Sequence, residues 1–217
     1  MQAPIFAFSA DLIKPGSQSY NSPGSFTFTV PKYKKLVVQL WGGGGSGAEL
    51  VGPSGNSYNT GGGDSSFWGR LFAYGGAKGI VGYNGSRPGG AGGSFAGGDG
   101  GEAGSNGGQG WGNHGGDGGR AGGPGGGATA VGVAGNGPAG NFPGGGGAGG
   151  SNSAAAGSGG GGGGYCIKTY TFGAAGSPAV GDVLPLVVGA GGTPYYYHSA
   201  YPDGGPGASG RVLVSWS

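Results

Sequence analysis

From Gly89 to Gly125 the chain reads GGAGGSFAGGDGGEAGSNGGQGWGNHGGDGGRAGGPG. Taken every third residue, from Gly89 and Gly92 through Phe95 to Gly122 and Gly125, eleven of thirteen positions are glycine. Three residues per turn is the period of the polyproline-II conformation, which rises ~3.1 Å per residue and matches neither an α-helix nor a β-strand. A glycine column is an edge without side chains, where a neighbouring segment can approach to backbone contact. Collagen has the same period but needs strict Gly-X-Y with proline at roughly 15–20% or more. Here Pro124 is the one proline, with Pro88 just ahead of the stretch, and Phe95 and Asn113 break the register.

Elsewhere, Gly144–Gly147 and Gly159–Gly164 present two or three glycine columns at once, which suits packing on several sides. The pattern predicts short antiparallel polyglycine-II helices, joined laterally by N–H···O bonds and weak Cα–H···O contacts. Turns are expected where bulky or polar residues interrupt the glycines. Asp99, Glu102, Trp111, His114, Asp117 and Arg120 share one column, so none of them has to enter the lattice.

Between Gly42 and Gly164 lie 55 of the 67 glycines. Ordering a residue costs roughly 1–2 kcal/mol of backbone entropy, with glycine at the high end. Such a stretch has no side chains for a core or an active site, so packed backbone has to hold it. A net charge of +2 without a basic stripe argues against nucleic acid. The cluster Lys32, Lys34 and Lys35 reads as decoration of a turn beside Pro31. A lone cysteine, Cys166, excludes an intramolecular disulfide framework and sits in an apolar strand pattern, as a buried free thiol would. Met1–Tyr20 lacks the basic and apolar regions of a signal peptide. No run approaches the ~18–20 apolar residues that cross a membrane as a helix, so no membrane insertion is expected.

The flanks read as strands. Phe26, Phe28 and Val30 alternate with Ser25, Thr27 and Thr29, and Leu36–Trp41 follows a turn at Pro31–Lys35. Tyr165–Phe172, Val183–Val188 and Arg211–Trp216 complete the set. The fold class is therefore mainly β. A small antiparallel sheet or sandwich of about five strands brackets a glycine-rich insertion of packed polyglycine-II helices, with essentially no α-helix. Residues 1–24 form an N-terminal attachment or edge segment. Residues 25–217 form a single domain, with strands in 25–41 and 165–217 and the insertion at 42–164.

Five stretches carry a family resemblance: SFTFTVP…KLVVQLWGGGG at Ser25–Gly45, DSSFWGRLFAYGGAKG at Asp64–Gly79, GGGGGGYC at Gly159–Cys166, GDVLPLVVGAGG at Gly181–Gly192 and GGPGASGRVLVSWS at Gly204–Ser217. Together they resemble the glycine-rich terminal domain of bacteriophage tail-fibre and related proteins. The junction Trp41-Gly42 and the closing strand are the most specific parts. In tail-fibre tip adhesins of the T-even type, a related architecture is a sandwich of polyglycine-II helices whose exposed loops choose the host receptor. The resemblance implies a receptor-binding tip on a virion tail fibre or other extracellular fibre. Its implied partners are a bacterial outer-membrane protein or surface glycan and a fibre shaft protein, and a homotrimer is an allowed assembly. A tip domain of a longer fibre, a separate tip subunit and a phage-derived bacterial adhesin all fit the residues.

Candidate binding residues are the interruptions of the glycine pattern. Tyr195, Tyr196, Tyr197, His198 and Tyr201 form the densest cluster, and tyrosines give large rigid contact area at low entropic cost. They serve either recognition or as an aromatic cover over the lattice end. Trp111 and His114 fall in a second break, and tryptophan is enriched at binding hot spots; a helix cap or an oligomer interface is the competing reading. Tyr83 and Arg87 flank an Asn-Gly turn, and Asn141 and Phe142 follow a similar turn, with a solvated loop as the alternative for both. Phe67, Trp68, Leu71, Phe72 and Tyr74 are expected to pack the lattice against the sheet, and Trp41 and Trp216 to lie in the core.

Catalysis finds no support. His114 and His198 are the two histidines, no strand-elbow serine or His-Glu-x-x-His motif occurs, and Glu49 and Glu102 stand alone. Asp99, Glu102 and Asp117 could supply a carboxylate pair for glycan cleavage, but spaced side chains on a flat lattice make no cleft. Matches to G-x-G-x-x-G arise by chance in such a chain, and none follows a strand, opens a helix and ends in Lys-Ser/Thr. Neither cofactor nor metal is expected. Two alternatives to a receptor-binding tip are a structural fibre cap or trimerisation module and an ice-binding polyglycine-II protein. Ice binding requires a flat, regular face of small residues, which Asp99, Trp111 and Arg120 interrupt.

Overall fold

The computed structural model describes residues 13–48, 59–80, 88–152, 156–194 and 202–217. Among these the chain is all-β, with no helix. Strand β1 spans Gly16–Tyr20, β2 Gly24–Thr29, β3 Lys35–Trp41, β4 Ser65–Phe67 and β5 Leu71–Ala73. Then follow β6 at Phe95–Ala96, β7 at Gly100–Glu102, β8 at Tyr165–Thr171, β9 at Val183–Val188 and β10 at Arg211–Trp216. Two antiparallel five-stranded sheets result, in the orders β1-β10-β3-β8-β7 and β2-β9-β4-β5-β6.

Alternation explains how the sheets face each other. In β9, Leu184, Leu186 and Val188 are buried while Val183, Pro185 and Val187 are exposed. Leu36, Val38 and Leu40 of β3 and Val212 and Val214 of β10 answer from the other sheet, with Phe28, Phe67, Leu71 and Tyr170 filling the space between. Burying one such side chain contributes about 1.5–3 kcal/mol. The expected strands appear as β2, β3, β8, β9 and β10. Their partners are short: β1 at one sheet edge, and β4 to β7 inside 42–164. The glycine-rich stretch thus feeds strands into both sheets, a correction to its reading as an uninterrupted insertion. Strands of two or three residues are too short for a period of two to show.

From one end of this sandwich the glycine-rich chain extends as straight segments. Trp41 of β3 pairs with Tyr165 and Arg211 there, so Gly42, Gly164 and Gly210 start from one level. Residues 42–48, 74–80, 103–110, 127–133, 144–151 and 189–194 run away from the sheets. Residues 59–64, 88–94, 115–122, 137–141, 156–164 and 202–210 return. Successive N–H groups address three different neighbours in turn. Gly42, Gly45 and Ala48 donate to Gly164, Gly161 and Ser158; Gly43 and Ser46 to Gly63 and Thr60; Gly44 and Gly47 to Ala208 and Gly205.

Segment 156–164 is the axis of the bundle. Every carbonyl from Gly157 to Gly164 accepts a backbone N–H, supplied in rotation by 42–48, 88–94 and 115–122. Its own N–H groups go to 144–151, 103–110 and 74–80, so six segments surround it. A methyl at Gly161 would overlap the carbonyl of Ala91, and one at Gly163 the carbonyl of Gly42, which is why this axis is glycine. Four neighbours are antiparallel to it, but 88–94 and 115–122 run parallel. Purely antiparallel packing was the expectation, and geometry forbids it. Segments around an axis also touch each other, as Gly76 N–H does Gly43 C=O at 2.8 Å between two outgoing segments.

Buried polar side chains complete the bonding where the ladders stop. The Ser158 hydroxyl accepts from Ile80 N–H at 2.7 Å and reaches its carbonyl at 3.0 Å. The Asn59 amide donates to Gly47 and Gly79 carbonyls at 3.2 and 2.9 Å. Ser65 ties the sheets to the lattice, donating to Trp41 C=O at 2.6 Å and accepting from Gly189 N–H at 2.9 Å.

Candidate functional site

Among the described residues, the turns most distant from the sheets lie at one end of the bundle. There Trp111 and His114 exchange backbone N–H···O bonds, each 2.9 Å, across a two-residue turn. Gly112 takes φ 54° at the first central position of that turn, a conformation that favours glycine. The arrangement pushes the indole outward: Trp111 is 68% exposed, with Nε1 donating to Gln109 Oε1 at 3.2 Å. His114 is exposed beside it.

The next turn joins this one through Ser151, whose hydroxyl lies 2.8 Å from Asn113 O and 2.9 Å from Val133 O. Ser151 also exchanges backbone bonds with Gly135, each 2.9 Å. Asn136 Oδ1 then accepts the Asp203 N–H at 3.1 Å, which brings the start of 202–210 to the same end. Burial raises the carboxyl of Asp203 above the usual aspartate range.

Tyr83 and Arg87, and Tyr195, Tyr196, Tyr197, His198 and Tyr201, lie outside the described residues. The residues that flank them stand at this end: Ile80 N–H bonds Ser158, Gly90 N–H bonds Gly159, Thr193 bonds Thr60, and Asp203 accepts from Gly137. Asn141 and Phe142 are placed at the opposite end of the lattice. Asn141 O accepts from Gly145 at 2.9 Å, and Gly144 donates to Ser209 at 2.8 Å, next to the sheets. The structure therefore does not bring this pair to the Trp111 turn.

All six residues of the sequence column are exposed, from Asp99 through Arg120. Their carboxylates serve separate backbones. Glu102 accepts from Gly123 N–H at 3.1 Å and Asp117 from Gly132 N–H at 2.7 Å. Asp99 pairs with Lys168 and accepts from Thr169 N–H at 2.7 Å. The Lys168 hydrogen bond, then that of Thr169, holds Asp99 below the ordinary aspartate range. Among the described residues, no three His, Cys, Asp or Glu side chains gather as metal ligands would. The Cys166 thiol is buried, and burial pushes its pKa up.

Two residues escaped the sequence reading. Val131 is 63% exposed and Val133 is exposed beside it, on the edge segment next to the Trp111 turn. Their signal is ATAVGVA at 128–134, where apolar residues fill two of the three columns and one glycine remains. Compared with protein-family models, curated proteins and solved structures, the chain matches none.

Proposed function

We propose that the protein is the receptor-binding tip of a phage-type fibre, with its binding surface at the sheet-distal end of the glycine lattice. The observation that carries this reading is the exposed Trp111 indole on a turn closed by two backbone hydrogen bonds. An indole held out to water by a rigid turn is a pre-organised contact, which lowers the ordering cost of binding. Val131 and Val133 extend that surface, and to it we add the sequence's tyrosines between Pro194 and Pro202, which lie outside the described residues. The threefold bonding supports reading the segments as packed polyglycine-II helices, a frame that keeps the turns in register.

The receptor is an outer-membrane protein or a surface glycan of a bacterial cell, and the ligand chemistry is aromatic and hydrogen-bonding. Affinity consequently changes little with salt, unlike phosphate recognition, which loses orders of magnitude. The test is strain-selective binding of fluorescently labelled protein to a panel of Gram-negative cells. Binding that disappears when Tyr195–Tyr197 are replaced by serine supports the reading; uniform or absent binding across the panel rejects it. Protease or periodate treatment of the cells then assigns the receptor to protein or glycan.

A further inference from the structure

The end of the sandwich opposite the lattice carries a hollow of about 420 Å³ lined by Ile13, Lys32, Tyr33, Lys34, Phe172 and Val180. Tyr33 is its buried floor, and Phe172 stands edge-on to it at 5.7 Å. Phe172 is 57% exposed and Val180 43% exposed, so both present apolar surface to water.

The wall is built to stay open. Residues 172–182 bond to themselves through Ser177 N–H to Ala174 C=O and Ala179 N–H to Asp182 Oδ2, at 3.0 and 2.8 Å. They are tied to the sandwich by Tyr33 Oη to Pro178 C=O at 2.6 Å and by Gly181 N–H to Val30 C=O at 2.8 Å. Phe172 spends one edge on Tyr33, and the remaining faces of Phe172 and Val180 leave apolar surface open around the hollow. Charge selects the occupant. Three of the six lysines, Lys14, Lys34 and Lys35, supply positive charge at this end, and Lys32, which lines the hollow too, already has an interaction partner. Asp182, the acid in the loop, caps Ala179. A second hollow, about 270 Å³, opens beside Lys35 and Trp216.

We propose that this hollow docks a segment of a separate protein that presents one or two apolar side chains flanked by carboxylates. The apolar groups fill the space over Tyr33 between Phe172 and Val180, and the carboxylates meet Lys34 and the neighbouring Lys14 and Lys35. The surface is distinct from the Trp111 end, so the two contacts can be made at once.

Two labelled heptapeptides test it by fluorescence polarisation with the full chain: glutamate alternating with leucine and phenylalanine, and the same peptide with lysine for glutamate. The acidic peptide binds saturably and at least tenfold tighter than the basic one. Phe172→Ser with Val180→Ser weakens it at least tenfold, Lys34→Glu weakens it similarly, and Trp111→Ser leaves it unchanged. These positions are exposed, and an unaltered melting curve shows that each variant folds. Equal binding of both peptides, no saturable binding, or unaffected binding by the Phe172 and Val180 variant overturns the proposal. Sedimentation showing a dimer that Phe172→Ser dissociates would assign the hollow to a second copy and overturn it too.

Discussion

At Gly161 the chemistry of this chain is reduced to one hydrogen atom. The hydrogen that replaces a side chain there faces the carbonyl of Ala91, and that carbonyl belongs to a backbone held by its own bonds. Gly161→Ala should therefore destabilise the protein by about 3 kcal/mol, the upper range for overpacking, because no flexible neighbour can yield. Gly100→Ala, whose methyl would meet the Ile167 side chain at 3.7 Å, should stay within about 0.5 kcal/mol of the native protein. Denaturant unfolding of the two variants checks the contrast. Asp99 supplies a second residue-scale prediction. Its folded pKa is lowered, so its contribution is present above the ordinary carboxylate range near pH 4 and lost as pH falls through the folded value. Melting temperatures of native protein and Asp99→Asn should differ at neutral pH and converge in acid. A difference that persists unchanged at low pH contradicts the assigned pairing.

Among the elements, Ser65 on β4 links β3 to the chain leaving β9, with its hydroxyl fully buried. Ser65→Ala leaves Trp41 C=O and Gly189 N–H each short of that partner, and should cost about 1–3 kcal/mol in thermal unfolding; Ser66→Ala, at a half-buried position, should cost far less. Legibility from sequence also divides at this scale. The long strands were readable because Leu184, Leu186 and Val188, or Leu36, Val38 and Leu40, spell their buried face directly. GSQSY of β1 has no alternating apolar face and owes its place to pairing with β10. SSF and LFA of β4 and β5 are joined through Trp68 at φ 55°, a turn that residue preferences disfavour. The threefold glycine column announced close lateral packing, but identical glycine faces carry no label saying which neighbour lies alongside or in which direction it runs. Parallel contacts such as 88–94 on 156–164 were for that reason unreadable. The Trp111 turn was legible as an interruption, whereas placing Phe142 at the far end required the bonds of Asn141 and Gly144.

At the scale of the whole molecule, the two ends differ. The sheets hold an apolar core, the lattice holds backbone, and each extremity displays apolar side chains to water. Trp111, Val131 and Val133 stand at one end, and Phe172 and Val180 at the other. The most direct test of the proposed polarity is binding to a receptive bacterial strain, compared between Trp111→Ser and Phe172→Ser in the same experiment. The account predicts at least tenfold weaker cell binding for Trp111→Ser, with Phe172→Ser indistinguishable from the native protein. Loss in Phe172→Ser with full binding by Trp111→Ser would contradict it and place the receptor surface at the sheet end.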